Sequence, residues 1–261
     1  EGEERLGGTE GSEQLHHIIK KATKVIEKRR KILRDFAAKD TKVTSLYNIV
    51  HYLEACRAVR EGKTVLWPNE ITYGLTANAL DDDAVQAIYD SKGRIANPIP
   101  ILTHKDWIGY FGYVPWLAQK LVDELWPDNI SIVVPKRPEI ISDLVTAGMD
   151  SVALMCPNAG AEALARDICL NGQEIIPIAC TSANISGQPS ITNSDIAVEK
   201  FFGAVDIILT GPDSNVGMNT TIIDFSVDPY VMLRRGPVSL EEVFNAVPEL
   251  RDKVVDATKK D

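Results

Sequence analysis

The apolar positions of the chain recur first at helical spacing and later in short runs, which predicts a helical start followed by an α/β region. A helix over residues 12–36 is indicated by the apolar stripe Leu15, Ile18, Ile19, Ala22, Ile26, Leu33 and Phe36. Eight cations fall between Lys20 and Arg34, so this helix is basic and amphipathic. A second helical pattern runs from Leu46 to Val59 and stops at Gly62, where glycine favours a helix end.

After Gly62, short β-branched runs alternate with amphipathic stretches. The predicted strands are Thr64–Trp67, Ile99–Leu102, Ser131–Val134, Ser151–Met155, Ile175–Ala179, Val205–Leu209, Thr220–Phe225 and Tyr230–Leu233. The predicted helices are Asp82–Ser91, Pro115–Leu125, Ala159–Leu170, Ser194–Phe201 and Leu240–Asn245. Because the last three strands lack intervening helices, we expect an α/β fold with a twisted mixed sheet and flanking helices, plus the N-terminal basic helical extension.

Length and composition indicate how the chain divides into domains. The chain has 261 residues, 44% of them apolar and 25% charged, which suits one globular domain with an appendage. We divide it into an acidic start and basic helix at 1–45, a domain at 46–248 and a polar tail at 249–261. The net charge of −9 argues against a protein that coats nucleic acid. The basic helix could contact RNA or a partner, but such helices more often pack on their own domain or a second subunit.

The sequence also limits the compartment and the metal chemistry. No apolar run is long enough to cross a bilayer and no signal-peptide pattern occurs, so we expect a cytoplasmic or organelle-matrix protein without membrane contact. His16 and His17 lack a third ligand nearby, and no protein metal site is predicted. Four cysteines match no zinc or redox spacing and are expected to be reduced and mostly buried: Cys56, Cys156, Cys169 and Cys180.

Four polar clusters follow strand ends or turns, where α/β sheets build ligand sites. The first is a turn after Pro68 that holds Asn69, Glu70, Thr72 and Tyr73. It is equally compatible with a plain turn. In the second, Lys92 and Arg94 flank Gly93, which suits phosphate or carboxylate oxygens. Cations at a helix end that stops at Gly93 would explain the second cluster too.

The third cluster follows an apolar run in the segment "CTSANISG" and offers hydroxyls and an amide to a polar ligand: Thr181, Ser182, Asn184 and Ser186. The same residue types cap helices, so an ordinary cap is the alternative. The fourth cluster combines Thr220, Thr221 and Asp224 with Arg234 and Arg235. A surface hairpin held by salt bridges is its alternative.

Taken in order, these segments resemble the YrdC-like threonylcarbamoyl-AMP synthase family from roughly Leu46 to Val247. "PNEITYGL" is similar to the family's Pro-Thr-Glu-Thr-(apolar)-Tyr-Gly-Leu turn, and "KGRIANPIPILTH" to its Lys-Gly-Arg segment and following strand. "LWPDNISIVVP" resembles its Leu-Trp-Pro segment, and "TSANISGQPSITN" its Ser-Ala-Asn-(Leu/Ile)-Ser-Gly signature. "NTTIIDF" and "MLRRGPVS" resemble the closing motifs. The chain is identified as a divergent member.

The resemblance implies a nucleotidyltransferase with a deep cationic concavity. There, threonine, bicarbonate and ATP would give threonylcarbamoyl-AMP and pyrophosphate, with Mg²⁺ carried by ATP rather than by protein ligands. The product would pass to downstream proteins that make threonylcarbamoyladenosine in tRNA. Such a reaction needs fixed cations and hydrogen-bond donors rather than a covalent nucleophile.

The resemblance also assigns roles. The implied catalytic residues are Lys92 and Arg94, which would neutralise the phosphates and the carbamate, and Ser182, which would contact the carbamate and the adenylate phosphate. Arg234 would close the pocket and His104 would face the amino acid, although a packing histidine with satisfied hydrogen bonds is an equal alternative for His104. The full set of implied binding residues is Asn69, Thr72, Tyr73, His104, Thr181, Asn184, Ser186, Thr221 and Arg234.

Four positions depart from the family pattern inside the implied site. Asn69 and Ile71 stand where the family has threonine, and Met155 and Ala159 stand where it has arginine and histidine. An amide keeps hydrogen-bonding capacity, an alkyl group does not, and a lost arginine removes about 1.5 to 3 kcal/mol of charge-assisted bonding. Two alternatives therefore stay open: a carbamoyl-adenylate enzyme with another acceptor, and a non-catalytic paralogue that binds nucleotide or RNA.

Overall fold

One mixed sheet organises the part of the chain that the computed structural model describes, residues 38–93, 97–185, 188–215 and 219–258. Its strands are β1 (Lys42–Ser45), β2 (Val65–Trp67), β3 (Gly74–Asn78), β4 (Ile101–Leu102), β5 (Ile130–Pro135), β6 (Ser151–Met155), β7 (Ile178–Ser182), β8 (Ile207–Thr210), β9 (Thr221–Asp224), β10 (Tyr230–Arg234) and β11 (Val254–Asp256). They lie in the order β1-β8-β2-β3-β7-β4-β6-β5-β9-β10-β11. Parallel and antiparallel neighbours both occur, which confirms the predicted mixed sheet.

The helices that flank this sheet are α1 (Ile49–Arg60), α2 (Asp82–Lys92), α3 (Ile108–Phe111), α4 (Trp116–Leu125), α5 (Asp143–Thr146), α6 (Ala159–Ile168), α7 (Ser194–Phe201) and α8 (Leu240–Ala246). Side chains that accept hydrogen bonds from free backbone N–H groups begin several of them, including Asn48 at α1, Asp81 at α2 and Asn158 at α6. Within the described ranges, the predicted helices from Leu46 onward are confirmed with small shifts at their ends, and α3 and α5 are short additions.

Residues two apart along a strand share one face of the sheet, and the two faces have different covers. The larger apolar core lies on one face, where α2, α4, α7 and α8 cover the side chains of Leu75, Ile101, Ile132, Leu154 and Ile223, among others. On the opposite face, α1 and α6 pack together over Trp67, Leu102 and Ile178, among others. Small and polar side chains of β5, β6 and β9 line an open cavity on that second face.

The sheet extends past both predicted domain boundaries. The described residues from Thr41 onward belong to one compact unit. Strand β1 pairs with β8 although it falls in the segment assigned to the N-terminal extension, and β11 pairs with β10 inside the predicted polar tail. The predicted polar tail thus contains a strand at Val254–Asp256, because backbone pairing at a sheet edge needs little apolar side-chain area. The basic helix predicted over 12–36 lies outside the described residues.

Strand β7 begins three residues later than predicted, at Ile178 rather than Ile175. The preceding residue is Pro177, whose nitrogen cannot donate to a strand ladder. Thr181 and Ser182 consequently lie on the strand itself, paired with β3, instead of in a loop after it. Strand β3 was not predicted, since Gly74 and Asn78 are residues typical of turns, although Leu75 and Ala77 keep the alternation of a strand.

Candidate active site

A cavity of about 650 Å³ lies over the open part of the sheet, within the usual size range of small-molecule sites. Its floor consists of alternate residues on three neighbouring strands: Ser131 and Val133, Ser151 and Ala153, and Ile222 and Asp224. One part of the cavity, near the end of β7, is lined by Lys92, Thr181, Ser182 and Asn184. Another part, near β9 and β10, is lined by Asn219, Thr220 and Arg234. The cavity therefore spans both the third and the fourth polar clusters.

Lys92 is the buried cation of this cavity. It ends α2, and the next residue, Gly93, adopts a left-handed conformation with φ of 59°, which a glycine reaches without strain. The side chain is only 2% exposed, and its ammonium donates to Asn184 Oδ1 at 3.1 Å, to Thr181 Oγ1 at 3.4 Å and to the carbonyl oxygen of Ser182. These acceptors offset the cost of removing the charge from water.

The segment after β7 is held in place by its own hydrogen bonds. Ser182 Oγ donates to Asn184 Oδ1 at 2.9 Å, and Asn184 Nδ2 donates to the carbonyl of Gln188 at 3.3 Å. The backbone of Ala183 bonds to Tyr73, which ties this segment to the first predicted turn. Lys92, Ser182 and Asn184 thus form one fixed polar group with donors at a single end of the cavity.

The first turn contributes both polar and apolar contacts. Asn69 Oδ1 accepts from Asn158 Nδ2 at 3.2 Å and from the Glu70 N–H at 2.6 Å, so the amide bridges this turn to the start of α6. Thr72 Oγ1 donates to the Ile191 carbonyl at 2.9 Å. Asn69, Thr72 and Ile71 all line the cavity.

Arg234 lies at the opposite end from Lys92. Its Nε donates to the Thr220 carbonyl at 2.8 Å and its Nη2 to Thr220 Oγ1 at 3.0 Å. Burial lowers the pKa of Arg234 below its ordinary value, although guanidinium groups stay protonated at neutral pH. The alternative of a hairpin pairing Asp224 with an arginine is not what the structure shows: Asp224 accepts from Ser226, and Arg235 pairs with Asp256 at 2.6 Å.

Three residues predicted to contact substrate do not line the cavity: Tyr73, Thr221 and His104. The Tyr73 hydroxyl bonds to Ser194 Oγ at 2.8 Å, and Thr221 Oγ1 donates to the Val238 carbonyl at 2.6 Å. Both side chains are fully buried in the core. His104 begins a short 3₁₀ turn, where its Nδ1 accepts from the Asp106 N–H at 3.2 Å.

The other ring nitrogen of His104 also faces protein groups. Its Nε2 lies 2.9 Å from Glu162 Oε1 and 3.0 Å from Arg166 Nη2. His104 is 2% exposed, so its ring is packed among protein groups, as the alternative for this residue predicts. Two further predicted residues, Arg94 and Ser186, lie outside the described residues.

Sequence reasoning missed most of the floor of the cavity, including Ser131 and Ser151, whereas Asp224 belongs to the fourth polar cluster. Cys180 also lines it, and burial raises the pKa of that thiol to about 12, so it stays protonated at neutral pH. Cys56, Cys156 and Cys169 are buried, as predicted. Among the described residues, no group of three or more His, Cys, Asp or Glu side chains is arranged to hold a metal, and no helix there has the length and apolar character to cross a membrane.

Comparison with known proteins shows the family to which this sequence is similar. The Sua5/YciO/YrdC family model, described as telomere recombination, matches residues 57–236. A threonylcarbamoyl-AMP synthase of Pyrococcus abyssi is 38% identical over 202 residues, which are 74% of this chain and 56% of the relative. The enzyme of the same name from Bacillus subtilis is 34% identical over 195 residues, which are 73% of this chain and 54% of the relative. The chain thus spans about half the length of these two relatives.

Solved structures agree with the sheet described above. The Pyrococcus abyssi Sua5 structure in complex with L-threonine has a TM-score of 0.70 at 34% identity, and the match covers 82% of this chain and 62% of that one. Escherichia coli YciO has a TM-score of 0.64 at 17% identity, covering 78% and 97%. At that identity, the second likeness concerns the fold alone.

Proposed function

Because the chain belongs to the Sua5/YciO/YrdC family, we propose that it forms a carbamoyl-adenylate from ATP, bicarbonate and an acceptor amine, with L-threonine as the acceptor. The observation that carries the proposal is the convergence of Lys92, Ser182 and Asn184 at one end of a cavity of about 650 Å³. A buried cation with fixed neighbouring donors suits charge that develops on phosphate and carbamate oxygens.

The proposed reaction has two bond-forming steps. The threonine nitrogen bonds to the bicarbonate carbon and water leaves, which gives a carbamate. A carbamate oxygen then bonds to the α-phosphorus of ATP while the bond from that phosphorus to the bridging oxygen breaks, so pyrophosphate leaves. This is nucleotidyl transfer, and its products are threonylcarbamoyl-AMP and pyrophosphate.

The residues of the chain act by binding and orientation in this proposal. Lys92, together with Arg94, neutralises charge on the phosphates and the carbamate. Ser182 and Asn184 orient the Lys92 ammonium and contact the same oxygens, and Arg234 closes the other end of the cavity. Mg²⁺ enters bound to ATP and shares the triphosphate charge, and the carboxylate of Asp224 lines the same cavity.

The product is a reactive mixed anhydride, so a consumer must receive it. We propose that downstream proteins use it to make threonylcarbamoyladenosine in tRNA, with the chain in the cytoplasm or an organelle matrix, where ATP and tRNA occur together. Contact of the basic segment 12–36 with RNA stays a prediction.

Pyrophosphate release tests the proposal. We expect pyrophosphate release from ATP, Mg²⁺ and bicarbonate when threonine is added but not without an amino-acid acceptor, and a fall of at least 100-fold in the Lys92→Ala variant. Lys120→Ala is the matched control, because Lys120 is partly exposed and pairs with Glu249 outside the cavity. Absence of threonine-dependent release from the folded protein, or unchanged turnover in Lys92→Ala, would contradict the proposal.

A further inference from the structure

A second cavity of about 440 Å³ adjoins the first on the same face of the sheet. The two cavities share five lining residues: Asn69, Gly74, Met155, Pro157 and Cys180. Beyond that shared boundary, the second cavity reaches between the sheet and the helices α1 and α6, where Tyr52, Trp67, Leu102 and Leu164 line it. A molecule bound in the first cavity therefore has a neighbouring space of molecular size.

The inner part of the second cavity is apolar, and its polar atoms already have protein partners. The Tyr52 hydroxyl donates to Asp167 at 2.7 Å, and Trp67 Nε1 donates to Thr76 Oγ1 at 2.7 Å. Thr76 Oγ1 in turn donates to the Val65 carbonyl at 3.2 Å. Glu70, Asn158, Asp213 and Asn215 also line the cavity. In its inner part, between Tyr52, Trp67, Leu102 and Leu164, a nucleobase would leave its ring nitrogens without partners, whereas a hydrocarbon or phenyl group has no such need.

Two residues at the boundary between the cavities, Gly74 and Met155, are respectively small and flexible. Gly74 has no side chain, and a Cβ atom built there would lie 3.7 Å from Cys180 Sγ, an ordinary contact. Met155 is a flexible unbranched side chain that adjusts to a neighbour. Asn69, held by Asn158, fixes the rim above this boundary.

We propose that the second cavity binds the side chain of the acceptor, so that the accepted amines include α-amino acids with large aliphatic or aromatic side chains. This rests on the proposed function, since the reacting amine stays in the first cavity with ATP and bicarbonate. Edge-to-face packing of Tyr52 on Trp67, with ring centroids 5.8 Å apart, provides an aromatic wall for such a side chain.

Phenylalanine and threonine, compared as acceptors in the pyrophosphate assay, test the inference. We expect phenylalanine to support release, and the ratio of kcat/KM for phenylalanine to that for threonine to fall at least tenfold in Leu164→Trp, which fills the cavity. Ala163→Trp is the control, because Ala163 is exposed on the same helix and should leave the ratio unchanged. If Leu164→Trp does not fold, Gly74→Ala serves as the second test. Its added methyl group meets only an ordinary contact, and the variant should lower the same ratio.

The two proposals fail in different ways. Release with threonine alone, with no calorimetric binding of phenylalanine, would overturn the second-cavity inference and leave the proposed function standing. A ratio that does not change in folded Leu164→Trp or Gly74→Ala would overturn it too. If no amino acid supports release, the proposed function fails, and calorimetry with phenylalanine decides the inference: binding that Leu164→Trp weakens tenfold supports it, and absence of binding or an unchanged affinity refutes it.

Discussion

The side chain of Asn184 orients the Lys92 ammonium. Its Oδ1 accepts from both Lys92 and Ser182, and its Nδ2 donates to a backbone carbonyl. A neutral amide thus orients the ammonium without neutralising it. A carboxylate at the same position would form an ion pair with Lys92 and repel phosphate oxygens.

The Asn184→Asp variant is therefore expected to bind ATP at least tenfold more weakly, as measured by isothermal titration with ATP and Mg²⁺. Asn193→Asp is the matched control: Asn193 caps α7, and a carboxylate keeps that cap while adding the same charge outside the cavity. Equal ATP affinity in Asn184→Asp and the unmodified chain would show that the Lys92 group does not bind the phosphates.

Motif resemblance located some of the residues that line the cavity and also pointed to residues that do not line it. Lys92, Ser182 and Asn184 lie in the cavity because a fixed helix end and strand end bring them there. Tyr73 and Thr221 belong to the same motifs, yet strand alternation turns their side chains into the core. The presence of a polar residue in a motif does not by itself show whether its side chain lines the cavity or is buried in the core.

At the scale of elements, the start of α6 links local helix formation to the cavity rim. Asn158 Oδ1 accepts from the Ala161 N–H at 2.8 Å, and its Nδ2 donates to Asn69. We expect Asn158→Ala to lower the free energy of unfolding by about 1 kcal/mol through loss of the cap. Urea denaturation measures this change.

Asn158→Ser separates the two functions of that side chain, since serine keeps the cap but cannot reach Asn69 as the amide does. Its stability should stay within about 0.5 kcal/mol of the unmodified chain. A loss in Asn158→Ser as large as that in Asn158→Ala would mean that the bond to Asn69, and not the cap, stabilises this region.

The edge strand β11 gives a prediction about pH. Hydrogen bonds from Thr258, and then the contact with Arg235, lower the pKa of Asp256 to about 2. Because the folded pKa lies below the unfolded value, this carboxylate stabilises the fold above about pH 4, and the contribution is lost as the pH falls towards 2.

Urea midpoints should therefore be lower for Asp256→Asn than for the unmodified chain at pH 6, and the difference should shrink by pH 3. Asp252→Asn, which alters an exposed carboxylate nearby, is the control and should show a smaller difference at both pH values. A constant difference across this range would contradict the assigned role of Asp256.

Helices were the easier elements to predict because capping side chains and glycine mark their ends locally, as Asp81 and Gly93 do for α2. Strands were harder. Strand β3 alternates Leu75 and Ala77 with Gly74, Thr76 and Asn78, but glycine and asparagine are rare in strands and favour a turn. The edge strands β1 and β11 are short and half exposed, so their pairing depends on neighbours far along the chain.

For the whole molecule, the cavity floor depends on strand order. Ser131, Ser151 and Asp224 come together only because β5 lies between β6 and β9, in registers that pair Val133 with both Ala153 and Asp224. Nothing local in the sequence fixes these registers. The family resemblance predicted that a concave site exists, whereas its floor and the second cavity required the assembled sheet.

Since strands from both halves of the sheet line the cavity, ATP binding should stabilise the whole unit Thr41–Asp261. At an ATP concentration 100 times Kd, mass action contributes about 2.7 kcal/mol. For a unit of this size, that corresponds to a rise in Tm of about 5 to 10 °C. Differential scanning calorimetry with ATP and Mg²⁺ should show this rise in the unmodified chain and in Lys120→Ala, but not in Lys92→Ala at the same ATP concentration. An equal rise in Lys92→Ala would mean that ATP binds somewhere other than at the Lys92 end of the cavity.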